Sequence, residues 1–447
     1  MKKTVLSLLL LSAVLLSAVQ PGLASSDVKF IKEFRLPAWK TMYFNLNLYG
    51  GASNKAISNK DYEEGQSSFN RTSGLSLNFM PEIEYMSESE NKITDLTCGL
   101  DSRIHYNSSK NKEYSPQMDI ARYVKLKPVV TFSNKYYQTK GDFIKIGGSL
   151  SYDYDYSYRD KNSEVIDRNA NIEAIVGYGN GKVRNVTPVI RALRFNKRFR
   201  SLGKGQFTDR EIGEIAKLVS KRSVYYNTFD EGSKYFWDEM YKAANGKMEG
   251  LSGYETFMVM NGLNDLSGNR LEGSELSANA RYIWLDQNYN GPGYSQNENK
   301  EERYGIFAPY LLGRYYSNLS IDYQVGFEAE GSYQIPTSEK ELFEQYYFVR
   351  LNHNELYCIT DRFLYLGNVS FLYRDLKTDK DDTEVRYEAS FRNDFTYYLE
   401  DNISLNLGAD LVWNKSEFVD KDSEIDRSSE NLLWSLSFSL NYRFRTM

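Results

Sequence analysis

Residues 432–444 read LLWSLSFSLNYRF. From Leu432 onward the apolar side chains of Trp434, Leu436, Phe438, Leu440, Tyr442 and Phe444 take every second position, and Ser435, Ser437, Ser439, Asn441 and Arg443 take the positions between. Successive side chains of a strand point to opposite faces, so this stretch writes one apolar and one polar surface at once. The apolar surface has to lie against something other than water.

The same alternation recurs along the chain. Clear copies are Leu75–Tyr85, Leu96–Tyr106, Ile144–Tyr158, Leu319–Tyr333, Phe363–Tyr373, Val385–Tyr397 and Ile403–Trp413, and weaker ones lie at 41–50, 123–138, 170–180, 275–287, 304–317 and 345–358. With the last strand these make about fourteen. The connections sort by position. Those after even-numbered strands are short (Ser87–Asn91, Lys140–Gly141, Ser317–Asn318, Thr360–Asp361, Glu400–Asn402), and those after odd-numbered strands are longer and polar (53–71, 109–119, 289–302, 415–429). Alternating short and long connections predict strands that run up and down, with every short turn at one end.

The first 24 residues, MKKTVLSLLLLSAVLLSAVQPGLA, carry Lys2 and Lys3, an apolar run and small residues at Gly22 and Ala24. This is the build of a secretory signal peptide cut after Ala24, with no nearby Cys for lipidation. Beyond it no stretch approaches the roughly 20 apolar residues of a membrane-spanning helix. The mean hydropathy of −0.58 would suit a soluble protein. The 37 Tyr and 24 Phe, against 9 Pro, point instead to strands. Cys98 and Cys358 fall on distant strands and are expected as free thiols, and a net charge of −5 argues against a nucleic-acid partner.

Both faces of about fourteen amphipathic strands must be satisfied. A closed barrel in lipid, with a polar lumen and an apolar outer band between aromatic girdles, does this and leaves no edge. The fold class expected is therefore all-β: a transmembrane up-and-down antiparallel β-barrel of about 14 strands, with a small α-helical insert between strands 6 and 7. From about residue 40 the chain resembles the outer-membrane β-barrels of Gram-negative bacteria, porin-like in build. The resemblance implies residence in the outer membrane among lipid and lipopolysaccharide. It also implies handling by the barrel assembly machinery, which reads a terminal aromatic; Phe444 matches in type, with Arg445, Thr446 and Met447 after it. Pro128 removes a ladder donor inside strand 4, so a bulge or strand end is expected there.

The insert interrupts the pattern. Thr208 and Glu211 have capping-box spacing, with Ile212, Ile215 and Val219 following at helical period, and a second helix is expected from Glu231 to about Ala244. The run GYGNGKVRNVTPVIRAL, residues 177–193, is similar to the turn-to-helix passage of some uncharacterised outer-membrane barrels. The division expected is a signal peptide at 1–24, an N-terminal periplasmic segment or plug at 25–39, barrel halves at 40–180 and 273–447, and a periplasmic insert at 181–272. The insert opens with Lys182, Arg184, Arg191, Arg194, Lys197, Arg198, Arg200 and Lys204, without an acid. Such a cluster suits an anion, a periplasmic partner or peptidoglycan, or else is a solvated face with its stems on the barrel rim.

Taken inward by alternation, Glu82, Glu84, Asp101, Arg103, Asp153, Asp155, Asp322 and Glu328 line one part of the lumen, and Arg374, Arg386 and Arg392 line another. Walls of opposite charge would set a transverse field that sorts solutes. Catalysis is not expected: His105 and His353 are the only histidines and neither stands in a hydrolase-like motif. No cofactor or clustered metal site is expected either. The function expected is a passive channel for small hydrophilic or charged solutes, with a structural or binding barrel as the alternative.

Overall fold

The computed structural model describes residues 26–442 apart from short stretches at 36, 61–66, 112–114, 139–140, 159–163, 264–267, 293–296, 338–342, 361, 379–381, 401–402 and 421–424. The expected signal peptide and Phe444 lie outside the described residues.

Fourteen long strands follow one another in the sheet. They are β1 Trp39–Lys60, β2 Ser67–Glu88, β3 Lys92–Asn111, β4 Ser115–Tyr137, β5 Asp142–Tyr158, β6 Glu164–Gly181, β8 Leu271–Pro292, β9 Asn297–Asn318, β10 Tyr323–Pro336, β11 Gln345–Thr360, β12 Phe363–Lys377, β13 Thr383–Glu400, β14 Ile403–Asp420 and β15 Ile425–Tyr442. A two-residue strand, β7 at Arg184–Asn185, pairs beside the start of β8. Each long strand is antiparallel to the next in chain order, which is the up-and-down meander expected. Among the described residues no ladder is seen between β1 and β15.

The strands run further than alternation alone places them. Much of the stretches expected as long loops is ladder, since β1 reaches Lys60 and β2 begins at Ser67. Paired backbone groups hold these extensions together even where the side chains no longer alternate. The start of β10 shifts the other way: Leu319–Asp322 is turn, and the ladder begins near Tyr323. Pro128 causes no bulge. It pairs with Leu100 in unbroken register, and toward β5 the pairing lapses only between Leu126 and Val129.

The sheet has a concave face and a convex one. Lys135 of β4 reaches Glu275 of β8 at 2.6 Å, and Lys145 of β5 reaches Tyr310 of β9 at 3.2 Å, each spanning intervening strands. The face carrying these contacts is therefore the inner one. The outer face keeps large apolar side chains exposed on strand after strand, among them Phe44, Leu77, Leu150, Val176, Leu276, Leu311, Leu351, Leu407 and Phe438.

Aromatic residues mark two levels on that outer face. Tyr323 meets Tyr357 edge to face, and Tyr365 adjoins Phe395, toward the short turns; Tyr347, Tyr373 and Tyr387 adjoin one another toward the long connections. Tyr347 and Tyr357, and likewise Tyr387 and Tyr397, are ten residues apart on one strand. At about 3.3 Å per residue and a tilt of about 40°, that spacing spans about 25 Å, the height of the apolar band of a membrane barrel.

The insert leaves the sheet at Gly181 and returns at Gly273. Both have positive φ, 91° and 114°, and a side chain at Gly181 would run into the Ser274 carbonyl while one at Gly273 would run into that of Lys182. Only glycine lets the two backbones cross this closely. Between them lie α2 Thr187–Ser201, α3 Asp209–Ser220, α4 Arg222–Thr228, α5 Gly232–Ala243 and α6 Gly253–Gly262, with α1 Ser26–Glu33 packing on α2. Thr208 caps α3 through the expected capping box. Ile31, Ile190, Phe195, Phe199, Ile215, Phe236, Met240 and Leu263 form a core of their own, and burying each large side chain contributes about 1.5–3 kcal/mol.

Candidate functional site

The inner face carries charged side chains in pairs. Lys125 of β4 lies 3.0 Å from Asp153 and 3.1 Å from Asp155, both on β5, and Lys127 lies 3.4 Å from Asp153. Tyr123 donates to Asp155 at 3.0 Å. On β3, Arg103 grips Asp101 at 2.7 Å, two residues away on the same face. Glu82 and Glu84 of β2 stand opposite Gly99 and Thr97 of β3. Glu328 of β10 accepts a hydrogen bond from Tyr316 at 2.7 Å.

The arginine-rich side is paired as well. Arg374 of β12 stands directly opposite Arg386 of β13, and Arg386 has Glu388 at 3.8 Å. Arg392 lies between Asp394 at 3.2 Å and Asp410 of β14 at 3.3 Å. Lys125, Arg103, Arg386 and Arg392 thus each find a carboxylate on their own or a neighbouring strand before the lumen has to be crossed, while Arg374 stands against Arg386. A residual field depends on which charges lack such a neighbour.

Asp322 is the exception among the expected wall residues. It sits in the turn between β9 and β10, where Arg194 of α2 meets it at 2.7 Å and Lys197 at 3.4 Å. Alternation counted from Leu319 placed it on the wall, but the ladder starts after it.

Half of the basic run that opens the insert, Lys182, Arg184, Arg194 and Lys197, works as a clamp on the short turns. Lys182 donates to the Ser89 carbonyl at 2.8 Å and lies over the Tyr137 ring, and Arg184 reaches Glu90 at 3.4 Å, both acceptors belonging to the β2–β3 turn. Burial holds the Lys182 ammonium below the usual lysine range, with Glu90 and Glu88 acting the other way. Arg198 turns inward to the Met258 carbonyl at 3.1 Å, and Arg200 is exposed. Arg191 lines a cleft of about 400 Å³ with Val219, Ser220, Arg222, Ser223 and Tyr226, a lining that contains no acid.

Arg270 has no counterpart in the sequence reading. It is fully buried, donating through Nε to Asn318 at 2.9 Å and through an Nη to the Ser320 carbonyl at 3.1 Å, while its own backbone N–H bonds Thr187 at 2.8 Å. Burial pushes its guanidinium down to about 10, against the pull of Cys358, Asp322 and Glu272. Arg194, Arg270, Lys182 and Arg184 therefore fasten the insert to turns far apart in the sheet, which places it across the short-turn end of the concave face. On that face nearby, Leu356, Cys358 and Leu364 form a small apolar cluster, and Gly268 of the insert lies against Leu356. Cys98 and Cys358 are not joined in a disulfide, as expected.

A membrane sheet of fourteen long strands in chain order, apolar outside between two aromatic levels and polar inside, defines an outer-membrane β-barrel protein. No family model and no curated protein matches the chain. Among solved structures it is similar to OmpT, an outer membrane protein of Vibrio cholerae, at 8% identity and a TM-score of 0.30, covering 90% of this chain and 97% of that one. It is also similar to the beta domain of the Bordetella autotransporter BrkA, at 12% identity and a TM-score of 0.27 over 72% of this chain and 92% of that one. Pseudomonas aeruginosa OccK5 gives 8% identity and a TM-score of 0.21 over 91% and 98%.

Proposed function

We propose that the chain is a channel for passive diffusion of small hydrophilic or charged solutes, without catalysis, whose periplasmic mouth is covered by the helical insert. The observation that supports this reading most is the concave wall itself. Its charged rows, such as Lys125 with Asp153 and Asp155, are the kind of surface that stays hydrated in a lumen. The insert lies over the route past them, held to the short turns by Arg194, Lys182 and Arg184 and to the start of β8 by the two-residue β7. Planar-bilayer recording tests the reading. Discrete conductance steps that persist when residues 183–268 are deleted support a channel, and a silent folded barrel in both forms overturns it.

A second reading rests on the acid-free cleft of Arg191, Arg222, Ser220, Ser223 and Tyr226. Two guanidinium groups among hydroxyls suit a carboxylate, so the insert would dock a periplasmic partner or peptidoglycan. Sedimentation of the full chain with purified peptidoglycan, lost in Arg222→Ala, separates this reading from the first.

A further inference from the structure

Between the aromatic levels the outward face of the strands is written in Leu, Ile, Val, Phe, Ala, Gly and Pro, with Cys98 and Ser102 on β3 and Asn134 on β4 as isolated departures. It is interrupted more deeply on three adjacent strands. Glu355 and His353 of β11 share the outward file of Tyr357 and Leu351, and His353 Nε2 lies 2.9 Å from Glu355 Oε1. Gly367 of β12 stands opposite Glu355, and Asn393 of β13 stands opposite Gly367. The Tyr365 hydroxyl leans over the space that Gly367 leaves and donates to Asn393 Oδ1 at 2.7 Å. Phe327 covers the His353 ring, with centroids 4.4 Å apart.

These internal bonds do not use every polar atom in the row. The Asn393 amide nitrogen has no partner among the described residues, and His353 Nδ1 is buried without one. In hydrocarbon no water completes them, and polar groups at membrane depth mark contacts or functional sites. Asn393 is also left accessible, because its neighbours across the ladder are Gly367 on one side and Ala409 of β14 on the other.

We propose that this row is where a second copy of the chain docks within the membrane. The row carries a donor at one end, Asn393, and an acidic pair at the other, Glu355 with His353. A two-fold axis along the membrane normal, passing by Gly367, brings the Asn393 of each copy to the Glu355–His353 pair of the other, so one surface is complementary to itself. Acyl chains offer neither donor nor acceptor, and the small residues at Gly367 and Ala409 allow the two walls to approach. The inference rests on the outward placement of these positions but not on conductance, so it stands or falls separately from the channel reading.

Light scattering of the full chain, folded in mild detergent, should give twice the mass of one chain. The triple variant His353→Leu, Glu355→Leu, Asn393→Leu should give the mass of one chain while keeping the gel-mobility shift on heating that reports a folded barrel. In a Cys98→Ser background, Gly367→Cys, which the axis passes, should form an oxidative intermolecular crosslink in membranes and Val176→Cys, on a distant strand, should not. A native chain that runs as one copy, a triple variant that stays double, or equal crosslinking at both positions would overturn the proposal.

Discussion

The Arg194 guanidinium of α2 meets the Asp322 carboxylate of the β9–β10 turn at 2.7 Å, tying the insert to the mouth of the sheet. The Arg194 side chain is 4% exposed and that of Asp322 27%. Asp322→Asn should therefore cost about 3 kcal/mol of docking stability, the low end for breaking a buried pair because Asp322 keeps some contact with water. Limited proteolysis of membrane-embedded protein should show faster cleavage within 201–207, with the strands still protected. Unchanged cleavage would mean that Arg270 and Lys182 hold the insert without this pair.

A second expectation concerns the two faces of β14. Leu407 is half-exposed on the outer face, whereas Asn406 points inward, accepting from Thr396 at 2.8 Å and donating to Ser439 at 3.3 Å. Leu407→Arg near the midplane should destabilise by about 2–4 kcal/mol, and Asn406→Arg should fold almost normally. Folding titrations into lipid vesicles compare the two, and equal effects would reverse the assignment of faces.

The insert should loosen in acid. Burial raises the Glu211 carboxyl, but Lys247 at 2.6 Å and the Thr208 donors outweigh it and hold the group below its ordinary 4.5. A folded value below the unfolded one gives stability that is fully present above pH 4.5 and lost as pH falls through the folded value. Hydrogen exchange of α3 amides, corrected for intrinsic rates, should quicken below that pH, and Glu211→Gln should flatten the dependence.

Much of this fold is legible in two-residue alternation, because one face meets lipid and the other meets polar groups. Leu407 and Asn406 could be assigned without coordinates for that reason. The helix α2 was less legible. Its arginines and lysines dominate the stretch, yet Val189, Ile190, Leu193, Phe195 and Phe199 of the same helix are buried, so the charged side chains are what remains to reach the turns. Arg270 gave no signal at all, since nothing in the run Ser267-Gly268-Asn269-Arg270 shows that Asn318 and Ser320 will enclose it. Asp322 was misplaced because a turn ends where its first hydrogen bonds form, not where apolar residues begin to alternate.

The last expectation concerns ion choice. Arg374, Arg386 and Arg392 face inward on β12 and β13, and Arg392 alone is held by two carboxylates, Asp394 and Asp410. Near a low-dielectric wall such charges are screened less than in bulk water, so removing them acts on permeating ions at short range. Replacing all three with Ser would leave Glu388, Asp394 and Asp410 without these partners. The reversal potential in a salt gradient should then move toward cation preference, with a smaller change in conductance. Lys182 and Arg184 sit at the mouth bound to the β2–β3 turn and remain in place, so the shift should be measured again with residues 183–268 deleted. A reversal potential unchanged in both backgrounds would mean that permeating ions do not pass this row, and the binding role of the insert would become the better reading.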